Sequence, residues 1–400
     1  MKVLVADKFE KSGLDGLKAL GCEVLNEPDL KDEALAARLA ESEAAVLIVR
    51  STKVTREMLE GSKLSLVVRA GAGYNTIDVA AASERGILVT NCPGKNSIAV
   101  AELAFGLLIA CDRHIPDNVI QLREGKWNKK GFSKAGGLYG KTLGLVGMGN
   151  IGQEMVTRAK AFGMRVVAYS RWMTADVAAA MGIGYATSPE ELAERCDCIS
   201  VHVALTPQTK GSIGKAFFDK MKPGGIFINT SRAEVVDQAA LEAAVKEKGI
   251  SAGLDVFDGE PAGGDGTYEG SLRDLPGVYG THHIGASTDQ AQEAVAEETV
   301  RIVSEFKSTG IAPNVVKAGK GSPATHVLIV RHSDKAGIQA AVFGAIQGAG
   351  LNAQETEVIA LAAAKSTITQ VSVDVEPSAV LLGKLKEMPG VFDASTVPYK

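Results

Sequence analysis

The chain has 400 residues, 46 % of them apolar and 22 % charged, with a net charge of −4 at pH 7. That length exceeds one compact core and predicts two or three domains. The near balance of charge leaves no footprint for nucleic acid, and no apolar run approaches the roughly 18–20 residues of a membrane span. The five cysteines, Cys22, Cys92, Cys111, Cys196 and Cys198, are odd in number, irregularly spaced and without a CxxC. They argue against a disulfide framework or a zinc site and for buried thiols in a cytoplasmic protein.

Residues 2–6 are apolar and are followed at once by Asp7, so they read as a buried first strand rather than a signal peptide. Helical spacing at 12–20 and 35–40 alternates with strand-like runs at 23–25, 45–49, 64–70 and 87–91. Continuous apolar strands between helices predict a parallel sheet covered on both faces. Residues 98–112 are small and apolar almost all round, which predicts a buried helix at a domain or subunit boundary. Residues 125–140 are irregular and basic, with Lys126, Lys129, Lys130 and Lys134 around Trp127. From 141 the alternation returns, with strands expected at 142–146, 165–169, 198–203, 225–229, 250–255 and 278–281. These form a second doubly wound sheet, and an amphipathic helix over 289–309 is placed to pack back across the first domain. Residues 317–323 have linker composition. Beyond them strands at 325–331, 352–361, 366–374 and 391–397, with helices at 338–348 and 378–387, give βαββαβ, the ferredoxin-like order. The fold class is therefore α/β, with two doubly wound Rossmann-like parallel-sheet domains and a C-terminal α+β module. The module reads as a regulatory sensor, with a purely structural role as the alternative.

The glycine motif Gly147-Met148-Gly149-Asn150-Ile151-Gly152 lies between the apolar run 143–146 and a helical run 151–162. Strand, glycine turn and helix start make a dinucleotide cradle: the turn, a close backbone approach to the pyrophosphate, and free helix N–H groups facing it. Gly147, Gly149, Asn150, Ile151 and Gly152 are its expected contacts. The ribose-binding acid expected about 20 residues on is missing, and Ser170 and Arg171 stand there instead. An arginine beside a serine suits a 2′-phosphate, so NADP is accepted beside NAD on one reading; on the other, Arg171 is merely solvated.

Three polar residues follow successive strand ends: Arg232 in Asn229-Thr230-Ser231-Arg232, Glu260 in Asp258-Gly259-Glu260-Pro261, and His283 in Thr281-His282-His283-Ile284. Moving a hydride from a secondary alcohol leaves an O–H proton that a histidine can take near neutral pH. A carboxylate on the other ring nitrogen fixes the tautomer, and a guanidinium holds the substrate carboxylate. The combination points to a nicotinamide-dependent dehydrogenase acting on a small molecule. His202 reads as a core or cleft residue, and His114 and His326 as surface or packing residues. Adjacent His282 and His283 face opposite ways, so no metal site is expected.

With these segments in order, together with 49–54, 69–75 and 94–97, the chain resembles the D-2-hydroxyacid dehydrogenase family over nearly its full length. Within that family it is similar to the D-3-phosphoglycerate dehydrogenases of serine synthesis. The resemblance implies Arg232 as the substrate-carboxylate ligand, His283 as acid/base and Glu260 as its orienting partner. It implies Thr230, Ser231, Asp255 and Gly285 at the cofactor, and Arg50, Gly73, Asn96 and Ser97 at the substrate. It also implies a substrate-binding domain of residues 1–100 and 288–317, a NAD(P)-binding domain of 101–287, a linker of 318–324 and an ACT-like domain of 325–400. A homodimer or homotetramer follows in the same way. The tail segment 332–337 resembles an ACT domain, with His332, Asp334 and Asn352 as a candidate amino-acid effector site. Asp334 and Ala336 depart from the asparagine and proline usual in serine-sensing members. Oxidation of 3-phospho-D-glycerate to 3-phosphohydroxypyruvate leads. A glyoxylate or hydroxypyruvate reductase and a dinucleotide-sensing corepressor-like protein stay open.

Overall fold

A computed structural model of the chain describes residues 1–261, 266–316, 322–361 and 365–399. It divides into two units, residues 1–316 and 317–400. Most of the linker expected at 318–324 lies outside the described residues.

The first unit opens with β1 (Lys2–Val5), α1 (Lys11–Ala19), β2 (Glu23–Asn26), α2 (Asp32–Ser42), β3 (Val46–Val49), α3 (Arg56–Glu60), β4 (Leu66–Arg69), α4 (Val79–Glu84) and β5 (Leu88–Asn91). The strands form a parallel sheet in the order β2-β1-β3-β4-β5. Val3, Leu4, Val5 and the whole of β3 are buried, as strands sandwiched between two helical layers must be. The strand order reverses between β1 and β3, so a crevice opens at their carboxyl ends. Asp7 and Arg50 stand just beyond those ends.

Next come α5 (Ser97–Arg113) and α6 (Ile115–Arg123), then β6 (Thr142–Val146), α7 (Asn150–Ala161), β7 (Arg165–Tyr169), α8 (Ala175–Ala180), β8 (Gly184–Tyr185), α9 (Pro189–Arg195), β9 (Cys198–Val201), α10 (Lys215–Lys220), β10 (Ile226–Asn229), α11 (Gln238–Lys248), β11 (Ser251–Leu254), β12 (Val278–Gly280) and α12 (Asp289–Thr309). The second sheet runs β12-β11-β10-β9-β6-β7-β8 and is parallel throughout. Its order reverses between β6 and β9, which places the glycine motif at the switch point. One face buries Leu143, Leu145 and Ile228 against Ala104, Leu108 and Cys111 of α5. The other buries the edge-to-face trio Phe217, Phe218 and Phe227. The helix α12 instead buries Ile302 and Val303 with Val3, Val5 and Ile48 of the first sheet.

The apolar surround of α5 is mostly buried within the chain, with Ile98 in its first turn left exposed. The next helix, α6, carries four exposed apolar side chains, Ile115, Val119, Ile120 and Leu122. All five cysteines are buried and unpaired, and burial pushes Cys111, Cys196 and Cys198 up to about 12.

The second unit contains β13 (His326–Ser333), α13 (Ile338–Gly348), β14 (Ala353–Ala360), β15 (Ser366–Val373), α14 (Ala379–Lys386) and β16 (Val391–Pro398). They form an antiparallel sheet in the order β14-β15-β13-β16, the ferredoxin-like arrangement. Its core is Leu328, Val330, Val342, Ile346, Val371, Leu381 and Leu385. Among the described residues no helix is long and apolar enough to cross a membrane, and no cluster of three metal-ligating side chains occurs.

Phe227 is fully buried and joins two T-shaped ring pairs. Phe227→Ala is expected to cost about 3–5 kcal/mol, seen as a lower denaturant midpoint for the first unit, and a loss under about 1 kcal/mol would contradict this packing.

Candidate active site

Three strand-end side chains each curl a turn and thereby aim a functional residue. Beyond β1, the Asp7 carboxylate accepts from the backbone N–H groups of Arg50, Ser51 and Thr52 at 2.6, 3.0 and 3.0 Å, and from the Thr52 hydroxyl at 2.9 Å. At the end of β10, the buried Asn229 amide accepts from Ser231 N and Oγ at 3.0 and 2.8 Å and donates to the Arg232 carbonyl at 3.0 Å. Beyond β11, the Asp255 carboxylate accepts from Thr281 Oγ1 at 2.6 Å and from Ile284 N and Gly285 N at 2.8 Å each. Asp255 is 1 % exposed, and its visible work is to build the turn that carries His283. His283 sits in the left-handed region at φ 53. A side-chain residue there is strained by roughly 1–3 kcal/mol, which the bonds to Asp255 offset.

Glu260 Oε2 lies 2.8 Å from His283 Nδ1, and Glu260 Oε1 accepts from Phe257 N at 2.7 Å. Burial by itself would raise the Glu260 carboxyl, but donation from His283 and Phe257, with Arg232 nearby, holds it below the usual range. A carboxylate only accepts, so Nδ1 carries a proton toward Glu260 and Nε2 is the nitrogen left for chemistry. Glu260 therefore stays ionised through neutral pH, and the stability of this pair is lost only as pH falls through the lowered value.

Arg232 is the first of three cations. Its Nη1 donates to the Ser231 carbonyl at 2.7 Å. A Cβ on Gly73 would lie 2.1 Å from Arg232 Nη2, and one on Gly71, which has φ +146, would lie 1.8 Å from Arg69 Nη1. A side chain at either position would displace a guanidinium from where it stands, and Gly71 is further confined to glycine by its positive φ. Arg69, the last residue of β4, had no role assigned from sequence. Burial, then the adjacent Arg232 and Arg50 cations, bring it down to about 10, so it stays charged at neutral pH. Its Nε is buried without a hydrogen-bond partner. The available signal was a charged residue closing an otherwise apolar strand.

Arg50, Arg69, Gly73, Asn96, Arg232, Glu260 and His283 line one cleft of about 1260 Å³. Ser97 does not; it is buried as the first residue of α5. Thr230, Ser231, Asp255 and Gly285 are buried outside its lining. Gly147, Gly149, Asn150, Ile151, Gly152, Ser170 and Arg171 also lie outside it, at the ends of β6 and β7. A Cβ on Gly94, in the loop before Asn96, would lie 2.7 Å from Asn150 Nδ2, so the motif meets the cleft's lip there.

The motif fits a dinucleotide. Gly147 has φ +100, and a Cβ on it would lie 2.5 Å from the His202 carbonyl; one on Gly152 would lie 2.4 Å from the Gly147 carbonyl. Gly149 faces open space, and the N-terminus of α7 has no side-chain cap, leaving its first amides for phosphate. Thr230 Oγ1 and His202 Nδ1 are buried without partners. Burial takes His202 down to about 3, a neutral ring bonded through Nε2 to Ser200 Oγ at 2.8 Å. Arg171 is exposed beside half-buried Ser170.

In the second unit, His332 is 1 % exposed and spends both ring nitrogens internally, on the Ser333 carbonyl at 2.9 Å and Thr369 Oγ1 at 2.8 Å. Strand alternation turns residues 328, 330 and 332 to the helix-covered face, so His332 is not presented to an effector. Asp334 and Asn352 are exposed, and Asn352 donates its N–H to Asp374 at 3.0 Å.

Residues 105–285 match the model of the D-isomer specific 2-hydroxyacid dehydrogenase NAD binding domain. Over 319 residues the chain is 41 % identical to D-3-phosphoglycerate dehydrogenase of Methanocaldococcus jannaschii, covering 79 % of this chain but only 59 % of the relative's length. It is 45 % identical over 272 residues to hydroxypyruvate reductase of Thermotoga maritima, covering 67 % of this chain and 86 % of that protein. NAD⁺-bound 3-phosphoglycerate dehydrogenase of Entamoeba histolytica superposes with TM-score 0.66 at 28 % identity, covering 80 % of this chain and 99 % of that one. The chain belongs to the D-isomer specific 2-hydroxyacid dehydrogenase family.

Proposed function

We propose that the chain is a NAD-dependent D-2-hydroxyacid dehydrogenase whose substrate is 3-phospho-D-glycerate, oxidised to 3-phosphohydroxypyruvate. The observation that carries this reading is the convergence of Arg50, Arg69 and Arg232 on one cleft with the His283–Glu260 pair. A phosphorylated hydroxy acid brings a carboxylate and a phosphate of about −1.5 to −2 at pH 7, which three guanidiniums match. In this reading residues 1–100 and 288–317 bind substrate, and residues 101–287 bind the cofactor.

His283 Nε2 takes the C2 hydroxyl proton while Glu260 stabilises the imidazolium that results. Arg232 fixes the carboxylate and polarises the C2 oxygen. The nicotinamide, when bound, supplies the hydride acceptor. Gly147, Gly149, Asn150 and the first turn of α7 would hold the pyrophosphate of the dinucleotide, and the unpartnered Thr230 hydroxyl would take a polar group of the same ligand.

Hydroxypyruvate or glyoxylate reduction is the second reading, supported by the likeness to the Thermotoga reductase and by Ser170–Arg171 in place of an acid. We assign the second unit as ACT-like, without His332 as an effector ligand. The exposed apolar side chains of α6 support a homo-oligomer, and the five buried free thiols suit a reducing cytoplasm.

A panel of 2-hydroxy and 2-keto acids scored by kcat/KM tests the assignment: 3-phosphoglycerate should lead on the oxidation side, and a lead for glyoxylate or hydroxypyruvate reverses it. No hydride transfer with any acid would favour a cofactor-sensing binding protein. His283→Ala should lower kcat by roughly 100- to 10,000-fold while cofactor affinity is unchanged. Arg69→Met should raise KM for the phosphorylated substrate by about tenfold or more, with a smaller effect on unphosphorylated acids. With Ser170 and Arg171 where an acid would repel a 2′-phosphate, kcat/KM for NADP should lie within about tenfold of that for NAD. A NAD preference of several hundredfold would show that Arg171 plays no part.

A further inference from the structure

Outside the cleft, the partly buried arginines of the first unit are paired with carboxylates, Arg38 with Glu27 at 2.7 Å, Arg56 with Glu84 at 2.6 Å and Arg158 with Glu154 at 2.7 Å, whereas arginines such as Arg85, Arg113 and Arg165 that form no ion pair are exposed to solvent. The cleft arginines are treated differently. Among the described residues none of the three forms an ion pair. Arg232 donates to a backbone carbonyl, Arg69 has a buried nitrogen with no partner, and Arg50 Nη1 donates to the side-chain amide of Gln292 at 2.8 Å.

Gln292 stands in the first turn of α12, half-buried and on the cleft wall. Arg50 is therefore fixed twice: Asp7 holds its backbone N–H, and Gln292 holds its guanidinium. An amide oxygen aims a cation through one hydrogen bond and leaves the unit charge available. A glutamate of the same length would aim it equally well and cancel it.

We propose that Gln292 is a specificity-determining positioning residue: it holds the Arg50 guanidinium in the cleft without neutralising it, and so reserves a cation for a second anionic group on the substrate. This rests on the reading that the cleft takes a 2-hydroxy acid bearing such a group. The residue is neutral by necessity. Its position at the start of α12 also ties the cation to the helix that packs on the first sheet.

The test compares wild type with Gln292→Glu, which keeps an acceptor and adds charge, and Gln292→Met, which keeps volume and loses the acceptor. Two readouts are used: steady-state kinetics with 3-phosphoglycerate and with hydroxypyruvate, and calorimetric titration of 3-phosphoglycerate into the full chain, which needs no turnover. Gln292→Glu should raise KM and the calorimetric Kd for 3-phosphoglycerate by about tenfold or more, narrowing at high salt. Its KM for hydroxypyruvate, which lacks the second anionic group, should rise several-fold less than its KM for 3-phosphoglycerate. Gln292→Met should fall between, because the charge survives and only its aim is lost. Equal affinity of wild type and Gln292→Glu overturns the proposal. So does an equal rise of KM for both substrates, which marks a merely structural role, and so does failure of the wild type to bind the titrant. A protein that turns over no hydroxy acid yet shows the calorimetric difference sinks the dehydrogenase reading and sustains this one.

Discussion

The cleft depends on positive charge that is held in place without being cancelled. Removing a guanidinium from water is costly unless its donors are satisfied, and the usual remedy, a carboxylate, would destroy the property that matters for binding an anion. The chain uses neutral acceptors instead: a backbone carbonyl for Arg232 and an amide for Arg50. Arg69 is left with a buried nitrogen unpartnered, and its burial, with two like charges beside it, pulls it down to about 10. Such an arrangement is poor for stability and good for recognition, since the missing partner is one the ligand can supply. Gly71 and Gly73 belong to the same arrangement, because a methyl group on either would occupy guanidinium space.

What holds this cluster is a device used three times. A polar side chain at a strand's carboxyl end, Asp7, Asn229 or Asp255, gathers the N–H groups of a nearby turn and so fixes the residue that turn presents. The first two deliver Arg50 and Arg232, and the third delivers His283 in a left-handed conformation it would not otherwise keep. The parallel sheets make this economical. Their strand ends converge on one side, the helices cover both faces, and the crevice at each switch point is the one place where turns can meet a ligand. The wide separation of these residues along the chain is therefore compatible with close placement in space.

Most of the fold was legible because its elements are long and strongly patterned. The strands Thr142–Val146 and Arg165–Tyr169 and the helices Asp289–Thr309 and Ile338–Gly348 are found at the expected residues. The elements given no range in advance, α3, α4, α6, β8 and the helices α8 to α11 between the strands of the second sheet, are short or weakly amphipathic, and their formation depends on what they pack against rather than on their own periodicity. In the site, charged residues at strand ends could be read because apolar strands announce where they stop. Arg69 was hidden because it closes a strand without a loop of its own. The turn-building work of Asp255 was not legible for a different reason: a carboxylate that accepts from two backbone N–H groups and the Thr281 hydroxyl gives no sign of it in sequence, where only its proximity to a strand end shows.

The same lesson applies to the second unit. His332 looked like a ligand because it belongs to a motif, yet a strand's two-residue period sends it to the covered face with Leu328 and Val330. There it forms a closed polar pair with Thr369, and a buried group with both nitrogens satisfied has nothing to offer a solute. Any recognition by this unit must come from groups that alternation leaves outside, such as Asp334 at the end of β13 and Asn352 before β14. Asp334 is an acid, so an ammonium group would meet attraction there and a carboxylate repulsion.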